Sequence, residues 1–236
     1  MSDNIIDEFY DISRKMNNPK GIRKIVYKLS GWFSLNFTVF LQKFGINKNL
    51  KNKFKDDKFI LNIGSGDEFP EKCINTDLFP SFGKLLRIIL GKEKKQIQCY
   101  LNVVYKDKNL FEIADGIVFS HVLEHIPPFL TMVVLENLRD YLKKGSFLRI
   151  SVPDIRLYEN NKLPPDQGYS NQIIAKNSLI YRWGHQFMYD ENLLKALLEE
   201  IGFNDVEVVS FKIGQLGEFD IERRQNETLY IVAKKK

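Results

Sequence analysis

The sequence predicts a doubly wound α/β fold, with a mainly parallel sheet of seven strands and an antiparallel edge strand. A short apolar run, Phe59–Ile63, has charged residues before it and glycines after it, which is typical of a fully buried strand in a parallel sheet. Apolar runs of this kind alternate with helical patterns over residues 58–236. A second short run, Cys73–Thr76, ends at Asp77, an acid placed where open sheets bind a ribose.

The chain divides into two parts by charge. Its 236 residues suit one α/β domain with an appendage, and an apolar content of 44% supports a real core. Between Ile12 and Lys55 there are eleven Lys or Arg and no acidic residue, so residues 1–57 carry the whole net charge of +5. We therefore predict a basic helical appendage over residues 1–57 and the main domain over 58–236.

Three interpretations of the appendage remain open. Residues 5–16 and 22–45 have apolar residues at helical spacing, and residues 46–55 are typical of a linker. The helices could form a cap on the main domain. Alternatively, basic and aromatic residues between positions 12 and 55 could make peripheral contact with an anionic membrane. The third interpretation, nucleic-acid contact, fits the pattern less well, because no known nucleic-acid-binding motif accompanies the charge.

The order of the predicted elements follows from the positions of the apolar runs. Strands are predicted at residues 59–63, 73–76, 97–104, 116–120, 147–152, 206–213 and 228–233. Helices are predicted at residues 82–90 and 129–142, and again after Asp190 up to Gly202. Residues 155–188 have no strong periodicity and several aromatic residues, and a segment of that kind inside a compact domain usually serves a function.

The cysteines and the first residues predict a cytoplasmic location. Cys73 and Cys99 both fall in predicted strands, which favours buried structural thiols in a reducing compartment. The sequence begins with acidic residues rather than with a signal-peptide pattern. No uncharged apolar run approaches the roughly 18 residues that a membrane span needs.

Three motifs carry a resemblance to a known family. They are LNIGSG at Leu61–Gly66, SHVLEH at Ser120–His125 and RISVPD at Arg149–Asp154. Together they resemble the class I S-adenosylmethionine-dependent methyltransferases, and within these a small bacterial subgroup. The resemblance covers residues 58–236. It implies a Rossmann-like fold, S-adenosylmethionine as the methyl donor and S-adenosylhomocysteine as the product.

The resemblance also implies a set of cofactor-binding residues at the carboxyl ends of the strands. Asp77 would accept hydrogen bonds from both ribose hydroxyls, and Asn102 and Val103 would contact the adenine. The full set is Asn62, Gly64, Ser65, Gly66, Asp77, Leu78, Asn102, Val103, Ser120 and His121.

This sequence departs from the family pattern at three points. Asn62 and Asn102 stand where an acid is common, and the frequent third glycine of the turn is missing. Altered cofactor binding or a catalytically inactive relative is therefore an alternative. A nicotinamide cofactor fits less well, because its pyrophosphate needs a three-glycine turn and would be repelled by the acids at positions 67 and 68.

All three histidines fall where the acceptor would bind. Methyl transfer to a hydroxyl requires alignment and removal of one proton, which a histidine can accept. We predict His185 as the base and His121 as the second choice. Glu124, His125 and His185 could instead form a metal site, and the order H-x-x-E-H also occurs in a group of metalloproteases. Because similar segments occur in methyltransferases without a metal, we expect none.

The acceptor is predicted to be a sugar, a glycan or another small polar molecule bearing a hydroxyl. Its predicted binding residues lie after the fifth strand and in the aromatic segment: Asp154, Arg156, Tyr181, Trp183 and Tyr189. Two other functions remain open. One is a non-catalytic protein that binds the cofactor and docks on a partner through its basic segment. The other is an RNA methyltransferase whose affinity depends on Arg23, Lys24 and Lys28 and falls steeply with salt.

Overall fold

The computed structural model describes Asp7 and residues 22–53, 58–92, 96–158 and 169–236. Apart from Asp7, the helix predicted over residues 5–16 lies outside the described residues. Within them, no helix combines the length and the apolar character needed to cross a membrane.

Seven strands form one sheet, as predicted. They are β1 Ile60–Ile63, β2 Ile74–Asp77, β3 Cys99–Tyr100, β4 Ala114–Ser120, β5 Leu142–Pro153, β6 Phe203–Val209 and β7 Thr228–Lys235. Their order across the sheet is β3-β2-β1-β4-β5-β7-β6. The five strands from β1 to β5 pair in parallel, and β7 runs antiparallel to both β5 and β6. The doubly wound fold with an antiparallel pair at one edge is therefore confirmed.

In the described ranges, six α-helices connect or flank these strands. They are α1 Ile22–Lys43, α2 Leu50–Lys53, α3 Phe82–Ile89, α4 Thr131–Tyr141, α5 Gln172–Tyr181 and α6 Glu191–Glu200. The side chain of Asp190 accepts a hydrogen bond from the Leu193 amide at 2.8 Å, so this residue caps α6 as predicted. The largest core cluster includes residues of β1, β4 and β5 together with the buried sides of α4 and α6.

Helix α5 lies in the segment where the sequence showed no strong periodicity. The side chain of Asn171 accepts hydrogen bonds from the amides of Ile173 and Ile174 and thereby begins the helix. Ile173 is exposed whereas Ile174 and Leu179 are buried. Apolar residues therefore lie on both sides of α5, which hides its helical pattern in the sequence.

The ends of several strands differ from the prediction, and β5 begins five residues earlier than predicted, at Leu142. β3 is shorter, because the Tyr105 amide donates to the Asn102 carbonyl and turns the chain directly after the strand. β6 starts three residues earlier than predicted, immediately after Gly202, whose φ of +94° ends the preceding helical turn.

The described part of the predicted linker, residues 46–53, is packed on the domain instead. Asn47 is buried and donates from Nδ2 to the Tyr100 carbonyl at 3.0 Å and to Asp107 Oδ2 at 2.8 Å. Leu50 belongs to the main core cluster. This part of the appendage is therefore attached to the edge of the sheet at β3.

Both cysteines are free and buried, as predicted. Burial raises the pKa of the Cys73 thiol to about 12 and also raises that of Cys99. Neither thiol is therefore a nucleophile at neutral pH.

Candidate active site

The turn after β1 depends on two glycines with positive φ. The φ angles of Gly64 and Gly66 are +72° and +56°, a region that side chains other than glycine rarely adopt. The amides of Gly64 and Ser65 donate to the Thr76 carbonyl at 3.0 and 2.9 Å, which fixes the turn against the end of β2. A Cβ atom on Gly64 would lie 2.4 Å from Cγ2 of Val122. The turn is therefore packed tightly against the segment that follows β4.

Asn62 supports this turn from below. Its side chain is buried, and Nδ2 donates to Asn75 Oδ1 at 2.9 Å and to the Glu68 carbonyl at 3.1 Å. An acid at this position could not donate these hydrogen bonds. The amide that replaces the acid of the family pattern thus holds β1, β2 and the turn together.

Asp77 lies at the carboxyl end of β2 beside a cavity of about 210 Å³. Its Oδ2 accepts from the Gly66 amide at 3.0 Å, and its Oδ1 accepts from the Leu78 amide at 2.7 Å. Burial raises the pKa of this carboxyl above its usual value, although both amide hydrogen bonds oppose the change. Each carboxylate oxygen can accept a further hydrogen bond, so Asp77 keeps acceptor capacity next to the cavity.

The same cavity has apolar and aromatic walls. Beside Asp77 and Leu78 it is lined by Phe79, Tyr100, Ile97 and Ile88. A partly apolar cleft with one carboxylate at its edge suits a nucleoside, whose base is flat and whose ribose carries hydroxyl donors.

Helix α1 forms one side of this region through a row of polar side chains at every fourth residue. Ser34 Oγ donates to the Phe79 carbonyl, and Thr38 Oγ1 accepts from the Phe79 amide at 2.8 Å. Gln42 Oε1 accepts from the Asn102 amide at 3.0 Å. These contacts attach α1 to the loops after β2 and β3. The described part of the appendage is thus a helical cap on the domain, the first of the three interpretations above.

Asn102 and Val103 follow β3, as predicted, but their side chains contact other parts of the protein rather than the cavity. Asn102 Oδ1 accepts from the Val104 amide at 3.0 Å, and Val103 is buried in the main core cluster. Neither residue lines the cavity beside Asp77.

A second cavity, of about 550 Å³, lies beyond the carboxyl ends of β4 and β5. It brings together all three histidines of the chain, His121, His125 and His185, which the sequence places in two separate segments. The rings of His125 and His185 meet edge to face with their centroids 4.8 Å apart.

Both ring nitrogens of His121 are already engaged. Nε2 lies 2.8 Å from Thr228 Oγ1, and Nδ1 lies 3.4 Å from Glu124 Oε1. The Thr228 hydroxyl donates its hydrogen to the Arg224 carbonyl, so it accepts from His121, and Nε2 carries the proton. His121 Nδ1 therefore faces the Glu124 carboxylate. Ser120, the neighbouring residue, accepts a hydrogen bond from the Ser151 hydroxyl at 2.8 Å.

Glu124 and His185 lie together in the wall of this cavity. The Glu124 side chain is fully buried, and its two oxygens accept no hydrogen bond from any described residue. Burial opposes ionisation of Glu124, but the contact with His121 and the positive charges that His121 and His125 carry when protonated outweigh it and hold the pKa of this carboxyl below its usual value. Burial lowers the pKa of His185, and Glu124 opposes the change only in part.

Of the predicted acceptor-binding residues, only Trp183 lines the second cavity. Tyr189 is a core residue whose hydroxyl lies 2.7 Å from Thr131 Oγ1, which corrects the expectation that its ring is available for stacking. Tyr181 is exposed away from the cavity lining.

Asp154 and Arg156 form an ion pair with each other across the turn after β5. Arg156 Nε and Nη2 both lie 3.0 Å from the Asp154 carboxylate, and Arg156 Nη1 lies 2.9 Å from Glu191. Asp154 Oδ1 also accepts from the Arg156 amide at 3.0 Å. These contacts stabilise the turn, and acceptor binding by Asp154 and Arg156 stays a prediction.

Sequence reasoning missed several residues that line the second cavity: Arg182, Arg223, Arg224 and Glu227. Because β7 runs antiparallel, its first residue, Thr228, pairs with Pro153 at the carboxyl end of β5. The residues just before β7 therefore reach the same edge as the predicted site. Arg223 and Arg224 both pair with Glu68 and so connect this segment to the turn after β1.

Comparison with models of known protein families gives a match over most of the chain. A family model described as a methyltransferase domain matches residues 8–208, a range that begins inside the predicted appendage. No curated protein matches the chain.

Several solved structures are similar at low sequence identity. An S-adenosylmethionine-dependent methyltransferase from Archaeoglobus fulgidus is 19% identical, with 84% of this chain and 99% of that chain covered and a TM-score of 0.48. A possible histamine N-methyltransferase from Thermotoga maritima is 17% identical, with coverages of 90% and 97% and a TM-score of 0.48. PigF with S-adenosylhomocysteine is 16% identical, with coverages of 98% and 68% and a TM-score of 0.49.

Proposed function

The chain belongs to the methyltransferase domain family, and from that premise we propose that it methylates a hydroxyl of a sugar, a glycan or another small polar acceptor. The methyl donor is S-adenosylmethionine, and the product is S-adenosylhomocysteine. The observation that carries this proposal is the Asp77 carboxylate, which borders a partly apolar cavity between the ends of the first strands.

The cofactor would lie across the edge of the sheet with its ribose at Asp77. Each of the two ribose hydroxyls would donate to a carboxylate oxygen, and such charge-assisted hydrogen bonds are among the stronger ones in proteins. The aromatic residues Phe79 and Tyr100 would contact the adenine, with Asn102 and Val103 nearby on the loop after β3. The turn at Gly64–Gly66, whose Gly66 position has open space around it, would let the backbone approach the methionine part.

The acceptor would bind in the second cavity, with Trp183 beside a sugar ring. His185 is the better candidate for the base, because its Nδ1 atom has no hydrogen-bond partner among the described residues. His121, the second candidate, has both nitrogens engaged. His185 would accept the hydroxyl proton while the acceptor oxygen forms its bond to the methyl carbon. S-adenosylmethionine, when bound, would supply that methyl group from its sulfonium and leave as the neutral thioether.

Calorimetry with S-adenosylhomocysteine tests the cofactor site. We expect the wild-type chain to bind and Asp77→Ala to bind about 100-fold more weakly, since two charge-assisted hydrogen bonds are lost. Asp67→Ala is the matched control, because this acid lies on the same turn with its side chain 85% exposed. Its affinity should be unchanged. Failure of the wild type to bind, or equal affinity of the Asp77 variant, would refute the proposed cofactor site.

Turnover with labelled S-adenosylmethionine then tests catalysis on a panel of sugars and glycans. Transfer that is insensitive to salt would exclude an RNA acceptor. Binding of S-adenosylhomocysteine without transfer to any acceptor, together with loss of partner association when residues 12–55 are deleted, would instead support the non-catalytic partner function.

A further inference from the structure

Three side chains of the second cavity, Glu124, His125 and His185, converge on one point. One potential ligand atom from each lies within 4.8 Å of the others. We propose that these residues bind a divalent transition-metal cation, which in turn binds neighbouring hydroxyls of the acceptor. The sequence alone favoured the absence of a metal, and the convergence of these residues in the fold is what changes that expectation. The part that concerns the acceptor rests on the proposed function.

The first support is a buried carboxylate that lacks hydrogen bonds. Both oxygens of Glu124 are inaccessible to solvent and accept no hydrogen bond within the described part of the chain. A buried ionised carboxylate is costly unless it is paired or bound to a metal. Its nearest partners are His121 Nδ1 at 3.4 Å and His125 Nε2 at 3.9 Å. The side chain is therefore oriented toward imidazoles without a close hydrogen bond to either.

The second support is that a ring nitrogen of His185 beside this carboxylate lacks a hydrogen-bond partner. His185 Nδ1 is buried and has no hydrogen-bond partner among the described residues. His121 donates from Nε2 to Thr228, so the lone pair of its Nδ1 faces the Glu124 carboxylate. This lone pair and the carboxylate repel each other, and a cation bound by Glu124 would offset that repulsion.

The backbone holds this arrangement in place. The Glu124 carbonyl accepts from the amides of Gln186 and Phe187 at 2.6 and 3.3 Å. These hydrogen bonds attach the segment after α5 to the short helical turn Leu123–His125, although the two are distant in sequence. His185 is thereby placed against Glu124 and His125 by main-chain contacts, so the convergence does not depend on side-chain packing alone.

The set of ligands indicates which ions would bind. Two imidazoles and one carboxylate suit Zn²⁺, Mn²⁺, Fe²⁺ or Co²⁺ better than Ca²⁺, which prefers oxygen ligands. Around such an ion, with bonds of about 2.0–2.1 Å, neighbouring ligand atoms lie roughly 3.3 Å apart. The present spread is larger, and His125, whose side chain is 41% exposed, has room to rotate inward.

Three protein ligands leave coordination positions open, as in catalytic sites. Two neighbouring hydroxyls of one sugar could occupy them, so the acceptor would be a vicinal diol. A hydroxyl bound to a cation loses its proton more easily, because the positive charge stabilises the resulting alkoxide. With the ion bound, His185 would serve as a ligand, and the hydroxyl proton would pass to water rather than to His185.

Calorimetric titration of the metal-free 236-residue chain with Zn²⁺, Mn²⁺ and Mg²⁺ tests the site. We expect one equivalent of Zn²⁺ or Mn²⁺ to bind more tightly than Mg²⁺. His125→Ala should weaken that binding by at least about tenfold, and because this side chain is partly exposed the variant should fold normally. Glu227→Gln is the matched control: this acid lines the same cavity outside the cluster, and its replacement should leave metal affinity unchanged.

The outcomes separate this inference from the proposed function. The metal site is overturned if the chain binds no metal, or if His125→Ala and Glu227→Gln lose metal affinity equally. Turnover that continues unchanged in the presence of a chelator would overturn it as well. In each of these cases S-adenosylhomocysteine binding by the same metal-free protein would leave the methyltransferase proposal standing. If Mn²⁺ or Zn²⁺ restores turnover only on acceptors with adjacent hydroxyls, both the metal site and the vicinal-diol acceptor are supported.

Discussion

Gly64 illustrates how much one residue contributes to the site. It combines a positive φ of +72° with a neighbour, Val122, that leaves no space for a Cβ atom. Gly66 shares the positive φ but has no atom within 4 Å of its Cβ position. The two glycines therefore serve different purposes. Gly64 permits close packing within the protein, whereas Gly66 leaves space in front of the turn.

We expect Gly64→Ala to destabilise the chain more than Gly66→Ala. Both substitutions impose the cost of a left-handed backbone, about 1–2 kcal/mol, and Gly64→Ala adds the overlap with Val122, which has a stiff β-branched side chain. Urea denaturation measures the free energy of unfolding of each variant. Equal losses of stability would contradict the packing argument. S-adenosylhomocysteine affinity, measured alongside, should fall more for Gly64→Ala, because the turn itself is displaced.

At the scale of elements, α1 has two distinct faces. One face carries the polar side chains that attach it to the loops after β2 and β3. The other face leaves large apolar side chains exposed, and so does the neighbouring helix α3. These side chains are Leu29, Trp32, Leu35, Phe40 and Phe44 on and just after α1, and Leu86 and Ile89 on α3. The basic charge of the chain is concentrated in the same part of the sequence. An exposed apolar face in a basic part of the sequence fits an anionic membrane surface, and peripheral contact through residues 12–55 stays a prediction.

Vesicle co-sedimentation tests this surface. We expect the chain to associate with vesicles that contain phosphatidylserine more strongly than with neutral vesicles, and the association should weaken as salt screens the charges. Trp32→Gln should reduce binding about tenfold, because a 65% exposed indole no longer enters the interface. Phe129→Ser, at an 80% exposed aromatic residue on another element, is the control. Binding that is equally weak for both variants, or no association with anionic vesicles, would contradict the prediction.

At the scale of the whole molecule, a buried ion pair joins the segment between β6 and β7 to the parallel part of the sheet. Arg149 on β5 donates from Nε to Asp220 Oδ1 at 2.6 Å and from Nη1 to the Ile213 carbonyl at 2.9 Å, and its side chain is fully buried. It belongs to one of the motifs that carry the family resemblance, but its role is structural. It positions the segment between β6 and β7, which leads to the arginines at the second cavity.

We expect Asp220→Asn to destabilise the fold by about 3–5 kcal/mol, because the Arg149 charge would remain buried without a counter-charge. Glu222→Gln removes the partner of Lys212 in an exposed pair and should cost less than about 1 kcal/mol. Thermal and urea unfolding of both variants measure the difference. If Asp220→Asn loses no more stability than Glu222→Gln, the buried ion pair does not stabilise the fold more than an exposed one.

The sequence by itself determined the doubly wound sheet, the glycine turn after β1 and the position of Asp77. These depend on properties that are local in the chain: apolar runs, glycines where φ is positive, and an acid at the end of a strand. Asn62 was recognised as unusual, but its hydrogen bonds to Asn75 and the Glu68 carbonyl required the pairing of β1 with β2.

Only the tertiary structure decided which side chains share a cavity. His185 meets Glu124 because main-chain hydrogen bonds attach the segment after α5 to the turn after β4. Arg223 and Arg224 reach the same edge because β7 is antiparallel to β5. No local pattern encodes these encounters, since they arise from the way in which distant elements pack. The residues of the acceptor cavity therefore had to be found in the folded chain.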